Sequence, residues 1–178
     1  MLPTTIQDLS FIQNVSECKE DENDLFRIFL KQQDSVQVDE MVHSLNRIIS
    51  AQIDCTQCGN CCRSLMINVE PDEAKNLAAY LDVPAAEFKH AYIEESEQGQ
   101  MVINTIPCHF LKNNKCSIYT HRFTECRQFP HLHKPAFTSR LFGTFMHYGR
   151  CPIIFNVIEA LKIELSFKHV EHTAVRYE

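Results

Sequence analysis

The cysteines are the residues of this chain with the most obvious capacity for chemistry. Nine are present, and eight of them lie between residues 55 and 151, whereas Cys18 stands alone. The densest segment reads CTQCGNCCR over residues 55–63. Thiols at this spacing let the backbone curl around an ion and turn several sulfurs toward one point, and Gly59 suits a turn that needs a positive φ. The segment therefore predicts a metal site built from thiolates.

The spacing of the first thiols bears on which metal is bound. A zinc knuckle takes two ligands from C-x2-C, whereas a bacterial ferredoxin takes three from C-x2-C-x2-C together with a distant cysteine followed by proline. Cys55, Cys58 and Cys61 have the second spacing, and Cys151-Pro152 could supply the distant ligand. The pattern favours an iron–sulfur cluster slightly over Zn2+, although a spacing match does not by itself determine the metal.

The pair of adjacent cysteines bears on how many metal centres there are. Adjacent residues rarely aim both side chains at one ion, so Cys61 and Cys62 suggest either two centres or one ligand beside a bystander. Eight thiols could form two four-cysteine sites, or one cluster and one zinc site, and the sequence leaves this partition open. The predicted metal ligands are Cys55, Cys58, Cys61, Cys62, Cys108, Cys116, Cys126 and Cys151.

The compartment in which the chain folds decides how these thiols are interpreted. The N-terminal residues MLPTTIQDLS lack the basic and apolar regions of a secretory signal. No segment approaches the roughly 18 apolar residues in succession that a membrane span needs. We therefore expect a cytoplasmic protein with no membrane partner, and in a reducing compartment a dense group of cysteines indicates metal binding rather than disulfides.

Charge is distributed unevenly along the chain. The formal net charge is −6, yet residues 101–151 carry seven Lys/Arg against Glu125 alone. Four thiolates around a divalent ion form a dianion, which is costly to bury without compensating charge. Arg63, Arg127 and Arg150 each adjoin a cysteine, so we expect their side chains to offset this charge or donate to sulfur.

The basic segment suggests an alternative partner, and its histidines are alternative ligands. Aromatic residues interleave with its basic residues, as in a surface that stacks nucleic-acid bases, but a sequence pI of about 5.8 argues against a nucleic-acid partner. His109, His121, His131 and His133 are alternative metal ligands. With eight thiols available, we expect these histidines to form hydrogen bonds or to lie at the surface.

The remaining elements must position the thiols. Residues 1–50 carry apolar side chains at helical spacing, and residues 154–165 do so again. Pro71 followed by two acidic residues opens a further helix. We expect an N-terminal helical extension over residues 1–50 and a metal-binding domain over residues 51–178 that ends in a helix.

Short strands are expected among the cysteines. Ser64–Val69, Met101–Ile106 and Cys116–Tyr119 have strand-like composition, and the last two are expected to form a hairpin whose loop contains Asn113-Asn114. The cysteine run around Gly59 argues against a helix there. The predicted fold is α+β and mostly helical, with a small irregular cysteine-rich domain and a short hairpin around one or two metal centres.

Three segments together resemble the CxxCxxCC family, also called the YkgJ-type cysteine cluster, which is described as chelating zinc or iron. They are CTQCGNCCR, PCHFLKNNKCSIYTHRFTECRQFP and the later Cys151-Pro152. The resemblance covers roughly residues 53–152 and includes all eight family-type cysteines in order. One departure is Phe123, which follows Arg122 where the family commonly has proline.

Three hypotheses on function follow. The first is a metal-binding protein that holds an iron–sulfur cluster, zinc or both through the eight cysteines, in a structural or redox role. The second rests on the resemblance, because flagellin lysine N-methylases are similar to the family, and it implies an iron–sulfur-dependent protein-modifying enzyme. The third is an adaptor in which zinc braces a binding surface and the helices at residues 20–50 contact a protein partner.

Overall fold

A computed structural model describes residues 4–169 of the chain. They form two compact units, one made of residues 4–53 and 132–169 and the other of residues 54–131. Helix accounts for 56% and strand for 7% of the structure, which confirms the predicted mostly helical α+β class. The predicted domains at residues 1–50 and 51–178 stay predictions, since compactness alone does not define a domain.

The secondary structure elements are named here in chain order. The helices are α1 (Leu9–Cys18), α2 (Glu20–Leu30), α3 (Ser35–Ser50), α4 (Cys55–Cys58), α5 (Asn60–Ser64), α6 (Pro71–Tyr80), α7 (Ala85–Tyr92), α8 (Thr124–Gln128), α9 (Leu141–Phe145) and α10 (Pro152–Glu164). The strands are β1 (Asn68–Val69), β2 (Ile93–Glu95), β3 (Met101–Ile103), β4 (Leu111–Lys112) and β5 (Lys115–Cys116). Single 3-10 turns occupy Tyr119–His121 and Phe137–Ser139.

The unit made of residues 4–53 and 132–169 is a group of helices around an apolar core. Asp8 and Asp34 each accept a hydrogen bond at 2.9 Å from a backbone N–H in the first turn of α1 and α3, which satisfies donors that a helix start leaves open. The apolar face of α3 packs on α10. The buried residues of these two helices include Val38, Val42, Leu45, Ile49, Ile154, Val157, Ile158 and Leu161. None of the helices within residues 4–169 is long and apolar enough to cross a bilayer.

The second unit, residues 54–131, combines two small sheets with short helices. β1, β3 and β2 form an antiparallel sheet in that order, in which Val69 lies opposite Met101 and Ile93 opposite Ile103. Helices α6 and α7 pack together and bury Leu77 and Phe88 against the same apolar core. The unit therefore has a core of its own beside the cysteines.

The predicted hairpin forms, but with a different first strand. β4 and β5 pair as an antiparallel hairpin, with Leu111 opposite Cys116. Asn113 and Asn114 connect them with φ of 51° and 62°, and two successive residues with positive φ make the tight turn that suits a two-residue hairpin. The prediction that Met101–Ile106 is the partner strand is wrong, because β3 pairs with β1 and β2 instead.

The predicted absence of helix around Gly59 is also wrong. The segment forms two short helical pieces, α4 and α5, separated by Gly59 with φ of +58°. Gly59 supplies the left-handed conformation that interrupts the helix. The expected positive φ at this glycine is thus confirmed, while the residues on either side are helical.

Candidate metal centre

Gly59 places the two cysteine-bearing helical pieces, α4 and α5, at an angle to one another. Asp54 caps α4 by accepting hydrogen bonds from the backbone N–H and the hydroxyl of Thr56, at 2.8 and 2.6 Å. These bonds hold the pKa of the Asp54 carboxyl below its usual value. The cap and the glycine together define where α4 begins and ends. Cys55 and Cys58 therefore lie on α4, and Cys61 and Cys62 lie on α5.

Arg63 connects the cysteine loop to the β4–β5 hairpin. Its Nη1 donates to the carbonyl oxygen of Cys58 at 3.0 Å, and its Nη2 donates to Oδ1 of Asn114. A Cβ on Gly59 would lie 3.1 Å from the carbonyl oxygen of Asn114. The absence of a side chain at Gly59 therefore permits the close approach of the loop to the hairpin that carries Cys116.

A backbone hydrogen bond connects the first cysteine group to the second. The N–H of Cys108 donates to the carbonyl oxygen of Cys62 at 2.8 Å. Cys108, Cys116 and Cys126 all pack against the apolar core of residues 54–131. Three cysteines therefore share one core, and a backbone bond joins the first of them to Cys62.

Helix α8, which carries Cys126, is held in place by Glu73 of α6. One oxygen of Glu73 accepts hydrogen bonds from the backbone N–H and the hydroxyl of Thr124, at 2.7 and 2.6 Å. Nη2 of Arg127 lies 3.4 Å from the same oxygen. These contacts position the short helix, whose five residues could not be stable alone.

The thiols influence one another electrostatically. Desolvation raises the pKa of Cys108, Cys116 and Cys126, and the charge of Cys62 raises it further in each case. For Cys126 the pKa rises to about 12. Since like charges disfavour the ionised form, ionisation of Cys62 makes ionisation of the other three thiols less favourable.

Cys62 has the opposite shift. A hydrogen bond from the Cys61 thiol lowers the pKa of Cys62 to about 7, with help from the positive charges of Arg63 and Arg122 and against partial burial. Cys62 therefore carries substantial thiolate character at neutral pH, and a thiolate is the form that binds metal.

Cys55 and Cys58 form the remaining part of the group. Desolvation and the neighbouring Cys58 raise the pKa of the Cys55 thiol, and Cys62 is a further cause. The Sγ atoms of Cys61 and Cys62 lie 4.0 Å apart. This separation is close to the value of about 3.8 Å for two thiolates on one tetrahedral zinc ion, each about 2.3 Å from the metal.

The thiols do not already form a coordination shell. Within residues 4–169, no three or more Cys, His, Asp or Glu side chains have the arrangement of a metal site. None of the nine cysteines forms a disulfide.

Cys151 lies in the other unit. It is buried, with 8% of its surface exposed, and immediately precedes α10. Cys18, which stands alone in the sequence, is exposed at the end of α1. The participation of Cys151 as a distant ligand stays a prediction.

Two arginines that adjoin cysteines are engaged in bracing the fold. Arg63 bonds to Cys58 and Asn114, and Arg127 bonds to Thr124 Oγ1 at 2.8 Å and to the carbonyl oxygen of Arg122. The positive charge that acts most widely on the thiols belongs to Arg122, which lowers the pKa of Cys55, Cys62, Cys116 and Cys126. The effect of Arg122 on the thiols was not predicted from the sequence, because only arginines directly beside a cysteine were expected to act on sulfur.

The histidines of the second unit have partners other than sulfur. His109 Nε2 lies 2.7 Å from Oδ1 of Asn104, and His131 Nε2 lies 2.8 Å from Oε1 of Glu125. The ring of His121 stacks on Tyr80 with centroids 3.6 Å apart. These contacts agree with the expectation that the histidines form hydrogen bonds or lie at the surface.

Seven thiols on one compact unit, with arginine charge among them, have the composition of a thiolate metal-chelating domain. The chain belongs to the CxxCxxCC family, described as "Putative zinc- or iron-chelating domain", whose model matches residues 54–145. The match contains seven of the eight predicted ligands and leaves out Cys151. Comparison with curated proteins and with solved structures gives no match.

Proposed function

We propose that this protein holds zinc or iron through thiolates of residues 54–131, with Cys151 as a further ligand. The observation that carries the proposal is that Cys108, Cys116 and Cys126 pack against one apolar core, while the backbone N–H of Cys108 bonds to the carbonyl oxygen of Cys62. The charge of Cys62 also raises the pKa of these three thiols. In a reducing compartment, cysteines gathered from separate segments without disulfides are typical of metal ligation.

The chemistry of the donors fits a thiolate-bound cation. The pKa of Cys62 is lowered to about 7, which favours the thiolate form that binds metal. The protonated neighbours would lose their protons as the ion replaces them. Nε of Arg122 is buried and has no hydrogen-bond partner within residues 4–169, and thiolate sulfur is an acceptor for such a donor.

The proposed ligand set consists of all eight cysteines of the predicted list, in one or two centres. A bound iron–sulfur cluster would supply one-electron transfer, whereas zinc would brace the fold. The ferredoxin-like spacing of the first three cysteines supports iron–sulfur, and the described family supports either metal. A cytoplasmic location belongs to the same proposal, because a reducing compartment would keep these thiols available.

The test is metal analysis of the protein purified without oxygen. An iron–sulfur centre gives a brown protein that absorbs at about 400 nm, as thiolate-ligated clusters do, and that contains stoichiometric iron and sulfide. A colourless protein with stoichiometric zinc supports the zinc form. A protein with neither metal at stoichiometric amount, and no uptake of either after reconstitution, contradicts the proposal.

A pair of variants connects the metal to the proposed ligands. Cys58→Ser should lower both the bound metal and the thermal unfolding temperature, because it removes one donor. Cys18→Ser is the matched control, since Cys18 lies exposed on α1 outside the unit of residues 54–131. Equal metal content in the two variants would contradict the assignment of Cys58 as a ligand.

A second candidate role, binding of a protein partner by the N-terminal helices, has one supporting observation. Leu25, Ile28 and Val36 are large apolar residues that expose 46%, 57% and 66% of their surface. Charged substitutions at these positions, such as Ile28→Glu, should abolish partner binding or self-association while leaving metal content unchanged. An unaltered sedimentation profile at all protein concentrations would count against self-association.

A further inference from the structure

The backbone and side chain of Arg122 are both held from outside the thiol group. Nη1 of Arg127 donates to the Arg122 carbonyl oxygen, and Arg127 itself is anchored to Thr124 and Glu73. The guanidinium carbon of Arg122 lies 4.0 Å from the centroid of the Tyr119 ring. A cation stacked in this way is restrained in position by the ring.

One donor of this restrained guanidinium has no acceptor in the part of the chain that the structure describes. Nε of Arg122 is buried and has no hydrogen-bond partner within residues 4–169. Leaving a buried donor of a charged group unsatisfied costs free energy, so such a donor is usually explained by a partner that binds there. The acceptor must reach a buried N–H and is favoured if it carries negative charge.

The neighbours of Arg122 identify the class of that acceptor. Its charge acts on the thiols of Cys55, Cys62, Cys116 and Cys126. A divalent ion with four thiolates carries two negative charges, and each sulfur retains lone pairs that can accept N–H hydrogen bonds. Arg122 thus combines a fixed positive charge with an available donor at the place where such an anion would form.

We propose that Arg122 is the positioning residue of the metal centre, donating its Nε–H to a metal-bound thiolate and compensating the charge of the thiolate shell. The inference rests on the proposed function. Arg127 braces the polypeptide around the site and the charge of Arg63 acts on Cys62, whereas the charge of Arg122 acts on four thiols.

The test compares Arg122→Lys with the wild type, both loaded with Co2+. Lysine keeps the charge but removes the planar Nε–H. Release of the metal to a chelator should be about tenfold faster in the variant, the lower end of what outer-shell partners contribute. The thiolate-to-cobalt charge-transfer band should move to lower energy, because a sulfur without its hydrogen bond gives up electron density more easily. Arg27→Lys, at a surface ion pair with Asp24, is the matched control and should behave as the wild type.

The outcomes separate this inference from the proposed function. A wild type that takes up no stoichiometric Co2+ overturns both. A wild type that binds Co2+, with Arg122→Lys identical to it in release rate and spectrum, overturns the inference alone. Lower stability of the metal-free variant with an unmoved charge-transfer band would show that Arg122 only braces the fold, and would likewise overturn it.

A measurement on the wild type covers the case in which the variant does not fold. In nitrogen-labelled protein loaded with a spin-active cadmium isotope, an arginine Nε–H bonded to a metal-bound thiolate should show scalar coupling to the metal through the sulfur. The coupled resonance should be absent from the Arg122→Lys spectrum where that variant folds. Cadmium-loaded protein in which no arginine side chain shows such coupling would overturn the inference.

Discussion

The carbonyl oxygen of Cys62 accepts a hydrogen bond from the backbone N–H of Cys108 at 2.8 Å. This contact joins the cysteine loop to a segment 46 residues further along the chain. The bond is between backbone groups, so it does not depend on either thiol being ionised. The backbone therefore joins the two cysteine groups independently of the ionisation of their thiols.

The two most different thiols should differ in reactivity in the metal-free protein. The pKa of Cys62 is lowered to about 7 and that of Cys126 is raised to about 12. Only the thiolate attacks an alkylating reagent, so labelling of Cys62 should rise as the pH increases through about 7, while Cys126 stays protected. Peptide mapping by mass spectrometry after brief alkylation measures both. Faster labelling of Cys126 than of Cys62 at neutral pH would contradict this arrangement.

Substitution of the glycine between α4 and α5 should disturb the site. Gly59→Ala places a side chain at a φ of +58° and 3.1 Å from the Asn114 carbonyl oxygen. The left-handed conformation alone costs about 1–2 kcal/mol, and the close contact adds to it. We expect weaker metal binding and lower stability in denaturant unfolding.

The control for this variant is Gly99→Ala. Gly99 also has a positive φ, +80°, but an added Cβ would meet nothing within 4 Å. Its loss of stability should therefore be smaller than that of Gly59→Ala, with metal content unchanged. Equal effects at the two glycines would mean that conformational strain matters and the approach of the hairpin does not.

A buried lysine connects α2 with α10 in the helical unit. Nζ of Lys162 donates to Asn23 Oδ1 at 2.7 Å and to Glu159 Oε1 at 2.8 Å, and it pairs with Glu22 at 2.8 Å. Lys162→Met would leave the two carboxylates without this partner and should cost about 3 kcal/mol. The value is measured as the change in the free energy of unfolding.

Lys75→Met is the comparison for Lys162. Lys75 pairs with Asp72 at 3.3 Å, but their side chains are 69% and 87% exposed. An exposed pair contributes less than about 1 kcal/mol, so this variant should be close to the wild type. A Lys162 variant as stable as the Lys75 variant would show that the buried network contributes little.

The protein should lose stability in acid as the Glu159 carboxylate becomes protonated. Burial by itself would raise the pKa of this carboxyl, but hydrogen bonds from Lys162, Lys19 and Tyr148 outweigh burial and hold the pKa below its usual value. Because the folded-state pKa lies below the unfolded one, the stabilisation is complete above the unfolded-state pKa and is lost as the pH falls through the folded-state pKa. Glu159→Gln should therefore be less stable than the wild type at neutral pH, and the difference should shrink in acid.

The control is Glu164→Gln, an exposed position on the same helix. Its difference from the wild type should stay small at every pH in a series of unfolding curves. A Glu159→Gln curve parallel to that of the wild type from neutral to acid pH would contradict the assigned role of the carboxylate.

Local sequence patterns were sufficient for most of the elements. Pro71 with its two acidic neighbours predicted the start of α6, where the side chains of Glu70 and Glu73 also form a capping box. Asn113-Asn114 predicted the turn of the hairpin. These signals involve only a few consecutive residues, so they can be recognised in the sequence without knowledge of the fold.

The pairing of strands that are distant in the sequence could not be predicted in the same way. The sequence led to Met101–Ile106 as the partner of Cys116, whereas β4 is the partner and β3 belongs to another sheet. Short strands have similar composition, and which strands pair depends on how the chain as a whole buries its apolar faces.

The cysteine spacing by itself determined the kind of chemistry, since thiols so dense in one chain indicate metal ligation and the family match to residues 54–145 agrees. Only the tertiary structure decided which cysteines pack against one core and which arginine's charge acts on the largest number of thiols. Arg63 and Arg127 adjoin cysteines in sequence but bond to backbone and to polar side chains, whereas the charge of Arg122 reaches four thiols. Electrostatic interaction depends on distance in space, and residues adjacent along the chain commonly direct their side chains away from one another.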